Sequence, residues 1–177
     1  MRWLHFGCGP NKLPAPWENH DRDIDIARPL PFESSTARYI FAEHVIEHVP
    51  FVEGMAFLSE CRRVLEPGGV LRFSFPDVTR FTSEWQVTEY CRYLIACRRA
   101  AGAGRADVFR YIISGSGHRA CWTGDMAWAV LIALGFTASA RPDYGQSFYT
   151  QDLRDIDGHH KTSPVALLET SIFEATK

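Results

Sequence analysis

The sequence predicts an α/β fold with a mostly parallel sheet, and three observations support this. Short apolar segments of strand character alternate along the chain with longer segments whose apolar residues recur at helical spacing. Turns that contain glycine or proline separate the two kinds of segment. The 177 residues, 46% of them hydrophobic, suffice for one core and are few for two. We therefore expect a single domain over residues 1–177.

The first half of the chain contains four predicted strands. They are RWLHF (2–6), WENHD (17–21), RYIFA (38–42) and GVLRFSFP (69–76). Between the last two, residues 50–69 carry apolar side chains at helical spacing. Pro50 suits the first turn of a helix there, and the Pro67-Gly68-Gly69 run suits its end. This alternation favours parallel strands joined by crossovers.

The second half is predicted to be mostly helical and to close with strands. Helices are expected from about Thr79 to Ala101, over residues 106–114, and after Thr123, which suits a helix cap. Gly135 suits the end of that last helix. The segments SGSGH (114–118), TASARP (137–142) and ALLETSIFEAT (166–176) are predicted to be a flexible loop and two strands, respectively.

Residues suited to a nucleoside follow the first two strands. Ligands of such sheets bind outside the carboxyl ends of the parallel strands. Gly7 and Gly9 come directly after the first strand and let the backbone approach a ligand closely. Asp21 ends the second strand, where its carboxylate can accept from both ribose hydroxyls. No further glycine follows to seat a pyrophosphate and no G-K-[ST] occurs, so a ligand without phosphates is expected.

Several blocks, in this order, resemble the class I S-adenosylmethionine-dependent methyltransferases of the type 11 group. The blocks are LHFGCGPNKLPAPWENHD, DIARPLPF, FAEHVIEHV, FLSECRRVLEPGGVLRFSFPD and, further on, GH…W followed by ALGF. The resemblance covers nearly the whole chain. It implies a Rossmann-like three-layer sandwich whose sheet of about six or seven strands has its last strand antiparallel. It also implies S-adenosylmethionine as the methyl donor.

The resemblance assigns five residues to the methionine side of the cofactor. Gly7 and Gly9 would lie under the methionine part, and Ala42 with Glu43 would end a strand beside it. Asn11 stands where the usual motif has its third glycine, and asparagine tolerates a left-handed backbone. These residues are expected to form one wall of the cofactor cradle.

Three further residues are assigned to the nucleoside side. Asp21 would hold the ribose, and Asp25 with Ile26 would contact the adenine by a hydrogen bond and by packing. The chain departs from the family pattern here, because the helix after the first strand is essentially absent and the family's third strand is very short or missing. The departures weaken the cradle on one side without removing an anchoring group.

The segment AEHVIEHVP (42–50) brings His44, Glu47 and His48 within five positions. On a long helix this spacing would be typical of a zinc peptidase. Pro50 disfavours a helical Val49, so the segment can form little more than one turn, and a peptidase site is disfavoured.

Three interpretations of this segment stay open. His44, His48 or His118 could act as a base toward the methyl acceptor, and these three are our candidate catalytic residues. Alternatively, Glu47 and His48 only orient each other. A resemblance of HVIEH and the later GHRACW to the eukaryotic small-RNA 2′-O-methyltransferases implies instead a divalent metal held by His44, Glu47, His48 and His118. We assign no metal ligand and keep the metal as the alternative.

The acceptor is expected to be a small hydroxylated molecule, contacted by a region from about residue 77 to residue 122. A formal net charge of −2 does not favour a nucleic acid partner. Five scattered cysteines and no signal-peptide pattern or long apolar run lead us to expect a cytoplasmic protein without a membrane segment. The alternatives are a metal-dependent RNA 2′-O-methyltransferase and a cofactor-binding protein without catalysis.

Overall fold

The computed structural model describes residues 1–97, 104–158, 163 and 165–177, and it confirms the predicted α/β fold. Six strands form one sheet in the order β2-β1-β3-β4-β6-β5. They are β1 (Arg2–Phe6), β2 (Trp17–His20), β3 (Ala37–Glu43), β4 (Leu65–Pro76), β5 (Ala138–Ala140) and β6 (Thr170–Thr176). The strands β1 to β4 pair in parallel, and β6 pairs antiparallel with both β4 and β5. The closing strand is therefore antiparallel, as expected.

The helices also follow the predicted order, with shifted boundaries. They are α1 (Phe51–Val64), α2 (Glu84–Ala96), α3 (Arg105–Ser114), α4 (Gly124–Ala133) and a short α5 (Ala166–Glu169). The Thr123 hydroxyl caps α4 by accepting from the Met126 amide, and Gly135 follows with a φ of +80°. The segment predicted as a strand over 166–176 begins instead with α5. The helix predicted from Thr79 starts at Glu84, capped by Ser83, and its last predicted residues, 98–101, lie outside the described residues.

The two faces of the sheet are covered differently. On one face, α1 and α4 bury the main core, in which Phe57, Leu58 and Leu131 are each at most 1% exposed. On the other face, residues 143–157 cover the sheet through Leu153 and Ile156, with a single 3-10 turn. No crossover helix forms between β1 and β2, because only ten residues, all described, connect them. The missing helix leaves the loop after β1 open toward a ligand.

A second, smaller core joins α2 and α3 beyond the carboxyl end of β4. It contains Phe81, Val87, Tyr90, Leu94, Val108, Ile112 and Val165. Asp77, fully buried at the end of β4, fixes this region to the sheet. Its carboxylate accepts from the Thr79 amide (2.9 Å), the Gly124 amide (2.9 Å) and the Ser171 hydroxyl (2.8 Å). None of the helices in the described ranges combines the length and apolar character that crossing a membrane requires.

Candidate active site

An open cleft of about 640 Å³ lies at the carboxyl ends of β1, β2 and β3. This volume falls within the range of about 300–1,000 Å³ that ligand pockets usually have. Its lining includes four residues predicted to contact the cofactor and two predicted catalytic histidines: Gly7, Asp21, Asp25, Ile26, His44 and His48. The topology thus brings the two predicted sets of residues into one cleft.

The two glycines after β1 have different surroundings. Gly7 has a φ of +67°, and a Cβ on it would lie 2.3 Å from Cγ2 of Val45. Gly9 has a φ of +46°, and a Cβ on it would meet no atom within 4 Å. Gly9 also lines a smaller cavity of about 230 Å³ next to the cleft. Gly7 is therefore required by packing, whereas a side chain at Gly9 would extend into space that a ligand could use.

The acidic residues after β2 present carboxylates to the cleft. Within the described part of the chain, the Asp21 carboxylate accepts no hydrogen bond, and its side chain is exposed. The Asp21 amide donates to Oδ1 of Asp23 at 2.7 Å, which fixes the turn. Asp25 uses Oδ1 to accept from the Ala27 amide at 3.0 Å, and its neighbour Ile26 packs against the main core. This arrangement fits a ribose and an adenine, which need an acceptor and an apolar surface, respectively.

The other three predicted cofactor residues do not line the open cleft. Asn11 lines the smaller cavity, but its φ is not positive, and its amide instead closes a tight turn by donating to the Cys8 carbonyl at 2.8 Å. Ala42 is fully buried in the core. Glu43 lines the smaller cavity, and its Oε2 accepts from the Gly158 amide at 2.8 Å. Ala42 can therefore offer a ligand little beyond its backbone.

The histidine-rich segment leaves β3 through a sharp turn. His44 has a φ of +53°, and residues Ile46–His48 form a single 3-10 turn. Val49 is extended, with φ −115° and ψ 158°, as the following proline requires. The absence of a sustained helix over 42–50 confirms that the peptidase geometry is not formed.

His118 reaches this segment from a distant part of the chain. Its ring lies 5.1 Å from the His48 ring, centroid to centroid. Two main-chain hydrogen bonds link the two segments. The amides of Arg119 and Ala120 both donate to the Glu47 carbonyl, at 2.7 and 3.1 Å, respectively. The His118 Nδ1 lies 2.6 Å from the Ile112 carbonyl oxygen, so Nδ1 carries the proton and Nε2 keeps its lone pair.

Glu47 is buried beneath the histidines. It is 1% exposed, and within the described residues neither carboxyl oxygen accepts a hydrogen bond. Its Oε1 lies 3.2 Å from Nδ1 of His44 and 4.0 Å from Nε2 of His48. Burial raises the pKa of Glu47 to about 7 and lowers that of His44 to about 3. The close His44–Glu47 contact is therefore one between groups that burial keeps from charging, and not a strong ion pair.

A second cavity, which we call the inner cavity, lies behind these histidines. Its volume is about 130 Å³. It is lined by His44, Glu47, His48, Pro76, Tyr90, Tyr93, Tyr111, Ser116, His118, Ser163 and Glu169. His44 and His48 thus line both the cleft and the inner cavity. Burial lowers the pKa of His118 and raises that of Glu169 to about 7.

Sequence reasoning missed part of this lining. Glu169 was hidden within the predicted strand 166–176, although an acidic residue between apolar ones there was a signal of a buried polar role. Its Oε2 accepts from the Tyr90 hydroxyl at 2.5 Å. Tyr90, Tyr93 and Tyr111 lie in the predicted acceptor region, but the sequence alone favours a place in the core for most aromatic residues of that region. Only the tertiary fold shows that these rings line the inner cavity as well as pack in the smaller core.

The cluster partly fits a metal ion. Within the described residues, one ligand atom each of Glu47, His48 and His118 lie within 4.8 Å of one another. His44 does not join them, because its Nε2 lies 2.8 Å from the Thr170 hydroxyl and its Nδ1 faces Glu47. Three of the four residues implied by the RNA methyltransferase resemblance therefore remain as potential ligands.

Comparisons with known proteins agree with this geometry. A family model described as "Methyltransferase domain", type 11, matches residues 10–73. No curated protein sequence matches the chain significantly. Among solved structures, an S-adenosylmethionine-dependent methyltransferase from Archaeoglobus fulgidus matches with 11% identity and a TM-score of 0.56, over 100% of this chain and 86% of that one.

Two longer proteins share the fold. A possible exported protein from Bordetella parapertussis matches over 100% of this chain and 63% of its own length, with 11% identity and a TM-score of 0.55. A phosphoethanolamine N-methyltransferase from Haemonchus contortus, solved with S-adenosylmethionine, matches over 100% of this chain and 48% of its own length, with 12% identity and a TM-score of 0.56. The chain therefore spans less than two thirds of these two relatives. The family match over residues 10–73 confirms the predicted resemblance to the S-adenosylmethionine-dependent methyltransferases of the type 11 group, and the solved structures show that the fold extends over the whole chain.

Proposed function

We propose that the protein transfers a methyl group from S-adenosylmethionine to a hydroxyl group of a small acceptor. The observation that carries the proposal is that His44 and His48 line both the open cleft and the inner cavity. A donor in the cleft and an acceptor in the inner cavity would face each other at these two imidazoles, and positioning supplies most of the catalysis in a displacement of this kind. The proposal takes residues 1–177 as one methyltransferase domain.

The cleft geometry supports the cofactor contacts that the resemblance implies. When bound, S-adenosylmethionine supplies an electrophilic methyl group on a sulfonium. The Asp21 carboxylate would accept from the ribose hydroxyls, and Asp25 with Ile26 would hold the adenine. Gly7 and Gly9 keep the loop close enough to the methionine part for main-chain contact. The predicted contacts with Asn11 and Glu43 would come from the wall around the smaller cavity, and Ala42, which is buried in the core, would contribute only its backbone.

Two of the predicted histidines suit the role of general base. His118 keeps a free Nε2 because its Nδ1 faces the Ile112 carbonyl, and the His48 side chain is 43% exposed toward the cleft. During methyl transfer, Nε2 of one of these two rings would take the proton that the acceptor hydroxyl loses. His44 suits a positioning role, since the Thr170 hydroxyl and Glu47 flank its two nitrogens.

The acceptor would be contacted mainly by the region from residue 77 to residue 122. Within the described part of that region, Tyr90, Tyr93, Tyr111, Ser116 and His118 line the inner cavity. The net charge of −2 fits a small acceptor better than a polyanion. A small alcohol, phenol or sugar hydroxyl is the proposed class.

The test measures S-adenosylhomocysteine formation with a panel of small alcohols, phenols and sugars. The wild type should turn over at least one of them, and His48→Ala combined with His118→Ala should lower the rate by about 100-fold or more, because a general base contributes about that much. The affinity for S-adenosylhomocysteine should stay unchanged. Binding without turnover of any acceptor would instead support a cofactor-binding protein without catalysis.

The second candidate is a metal-dependent enzyme that methylates an RNA 2′-hydroxyl. The observation in its favour is the proximity of Glu47, His48 and His118. Two imidazoles and one carboxylate suit zinc or iron better than magnesium. Measured metal content after purification, together with its loss in His118→Ala, would support this candidate, and full activity in the presence of a chelator would exclude it.

A further inference from the structure

Residues 143–158, which we call the covering segment, occupy the place of the missing crossover helix. Right-handed crossovers that lead in opposite directions across a sheet lie on opposite faces. The connection from β1 to β2 leads away from β3 and β4, so its helix would lie on the face opposite α1. On that face, Leu153 and Ile156 of the covering segment pack in one cluster with Tyr39 of β3 and with Leu13 of the connection itself. The covering segment therefore meets the loop after β1.

A buried network of charged side chains fixes the covering segment to the sheet. Arg72 of β4 and Asp157 are both 0% exposed. Nε and Nη2 of Arg72 donate to Oδ1 and Oδ2 of Asp157 at 2.9 and 2.5 Å, and Nη1 donates to Oε1 of Glu174 in β6 at 2.7 Å. The other oxygen of Glu174 accepts from the Phe148 amide at 2.9 Å. Because breaking such a buried pair leaves an uncompensated charge, the position of Asp157 is strongly fixed.

Gly158 follows Asp157 directly and contacts two residues of the smaller cavity. Its amide donates to Oε2 of Glu43 at 2.8 Å. A Cβ on Gly158 would lie 3.2 Å from Cβ and 3.4 Å from Nδ2 of Asn11, so the glycine packs closely against that side chain. Glu43 and Asn11 both line the smaller cavity of about 230 Å³. The anchored end of the covering segment thus sets two side chains in the wall of this cavity.

We propose that Asp157 and Gly158 are positioning residues for the amino-acid end of S-adenosylmethionine. Held by Arg72, they would fix Glu43 and Asn11 at the wall where that end of the cofactor lies. A carboxylate has more than one acceptor position on each oxygen, so Glu43 can hold the Gly158 amide and also accept from the cofactor's ammonium group. The inference rests on the proposed function, because it concerns cofactor contacts of that same site.

The test compares S-adenosylhomocysteine with methylthioadenosine, which keeps the nucleoside and the sulfur but lacks the amino-acid chain. Both are titrated by calorimetry into the wild type and into Gly158→Ala, whose added Cβ requires Asn11 to shift by a few tenths of an ångström. We expect Gly158→Ala to bind S-adenosylhomocysteine about ten-fold more weakly, since the loss of one hydrogen bond to a charged group accounts for that ratio. Its affinity for methylthioadenosine should stay unchanged.

Two further variants separate positioning from stability. Gly104→Ala is the matched control, because a Cβ there would meet no atom of the described residues within 4 Å, and it should leave both affinities unchanged. Asp157→Asn keeps the shape of the side chain and removes the charge that faces Arg72. It should lower the free energy of unfolding and weaken the binding of S-adenosylhomocysteine alone. If Asp157→Asn does not fold, Gly158→Ala decides the question.

Equal weakening of both ligands in Gly158→Ala, or unchanged binding of both, would overturn the inference. So would equal affinity of the wild type for the two ligands, since the amino-acid end would then contribute nothing to binding. Failure of both ligands to bind the wild type would instead refute the proposed function.

Discussion

The open cleft and the inner cavity adjoin at His44 and His48 but are built in opposite ways. The cleft is open, about 640 Å³, and its carboxylate at Asp21 is exposed. The inner cavity is about 130 Å³, and its carboxyl groups at Glu47 and Glu169 are buried. Most of the cleft comes from two loops close together in sequence, whereas the cavity is assembled from segments more than 100 residues apart. The cleft therefore presents an exposed carboxylate, whereas the inner cavity presents buried carboxyl groups.

The largest expected effect is on the cleft side, at Gly7. Gly7→Val should lower the free energy of unfolding by roughly 2–5 kcal/mol, for two reasons. The valine would have to adopt a strained left-handed backbone conformation, and its side chain would clash with Val45. Chemical denaturation measures this loss, and S-adenosylhomocysteine binding should disappear with it. Gly9→Val is the matched comparison, since space surrounds that position. It should lose binding while it still folds, and normal binding by Gly9→Val would mean that its loop is only a turn.

The next effect concerns His118, on the side of the inner cavity, and is seen in the pH dependence of the reaction rate. If His118 is the base, the rate should rise with pH as the imidazole loses its proton and then level off. Burial lowers its pKa, so the plateau should be reached at a lower pH than the ordinary value of about 6.5 implies. The rate profile of the wild type against pH, with His118→Ala as reference, measures this. A rate in His118→Ala that equals the wild-type rate at every pH would exclude the role.

A smaller effect distinguishes the two regions by the pH dependence of the free energy of unfolding. Burial lowers the pKa of His5, which lines the smaller cavity, to about 4, so the unfolded state binds its proton first and stability falls as pH drops from 6.5 toward 4. Burial raises the pKa of Glu169 to about 7, so stability falls as pH rises from 4.5 toward 7. Each group contributes roughly 1.4 kcal/mol per pH unit at most.

Denaturation at several pH values should separate these two contributions. His5→Gln should reduce the slope on the acid side of the stability profile, where His44 also contributes, and Glu169→Gln should reduce the slope between pH 4.5 and 7, where Glu47 also contributes. Identical profiles for wild type and both variants would show that neither group has the shifted pKa inferred from its burial.

The same contrast explains what could be predicted from sequence. The cleft was predictable because strand ends place Gly7 and Asp21 at one edge of the sheet, whatever the details of packing. The proximity of His48 and His118 was also predictable, and the 5.1 Å between their rings agrees with it. The short turn over 46–48 also followed, since Pro50 constrains Val49.

The acids of the inner cavity were not predictable in the same way. Glu169 lies on a four-residue helix that the apolar pattern of 166–176 concealed, and only the tertiary fold brings it near Glu47. Asn11 shows the opposite error, because its tolerance for a left-handed backbone is not used. A residue's permitted conformations do not determine which one the surrounding chain selects.

Asp21 offers the most direct test of the central claim, that the cleft binds S-adenosylmethionine through a ribose contact. Calorimetry should give clear binding of S-adenosylhomocysteine to the wild type and to the exposed control Glu33→Ala. Asp21→Ala should weaken that binding by about ten-fold or more while the unfolding transition stays unchanged, because hydrogen bonds to a charged acceptor contribute about 1.5–3 kcal/mol each. Equal affinities for wild type and Asp21→Ala, or no binding by any of the three proteins, would contradict the account.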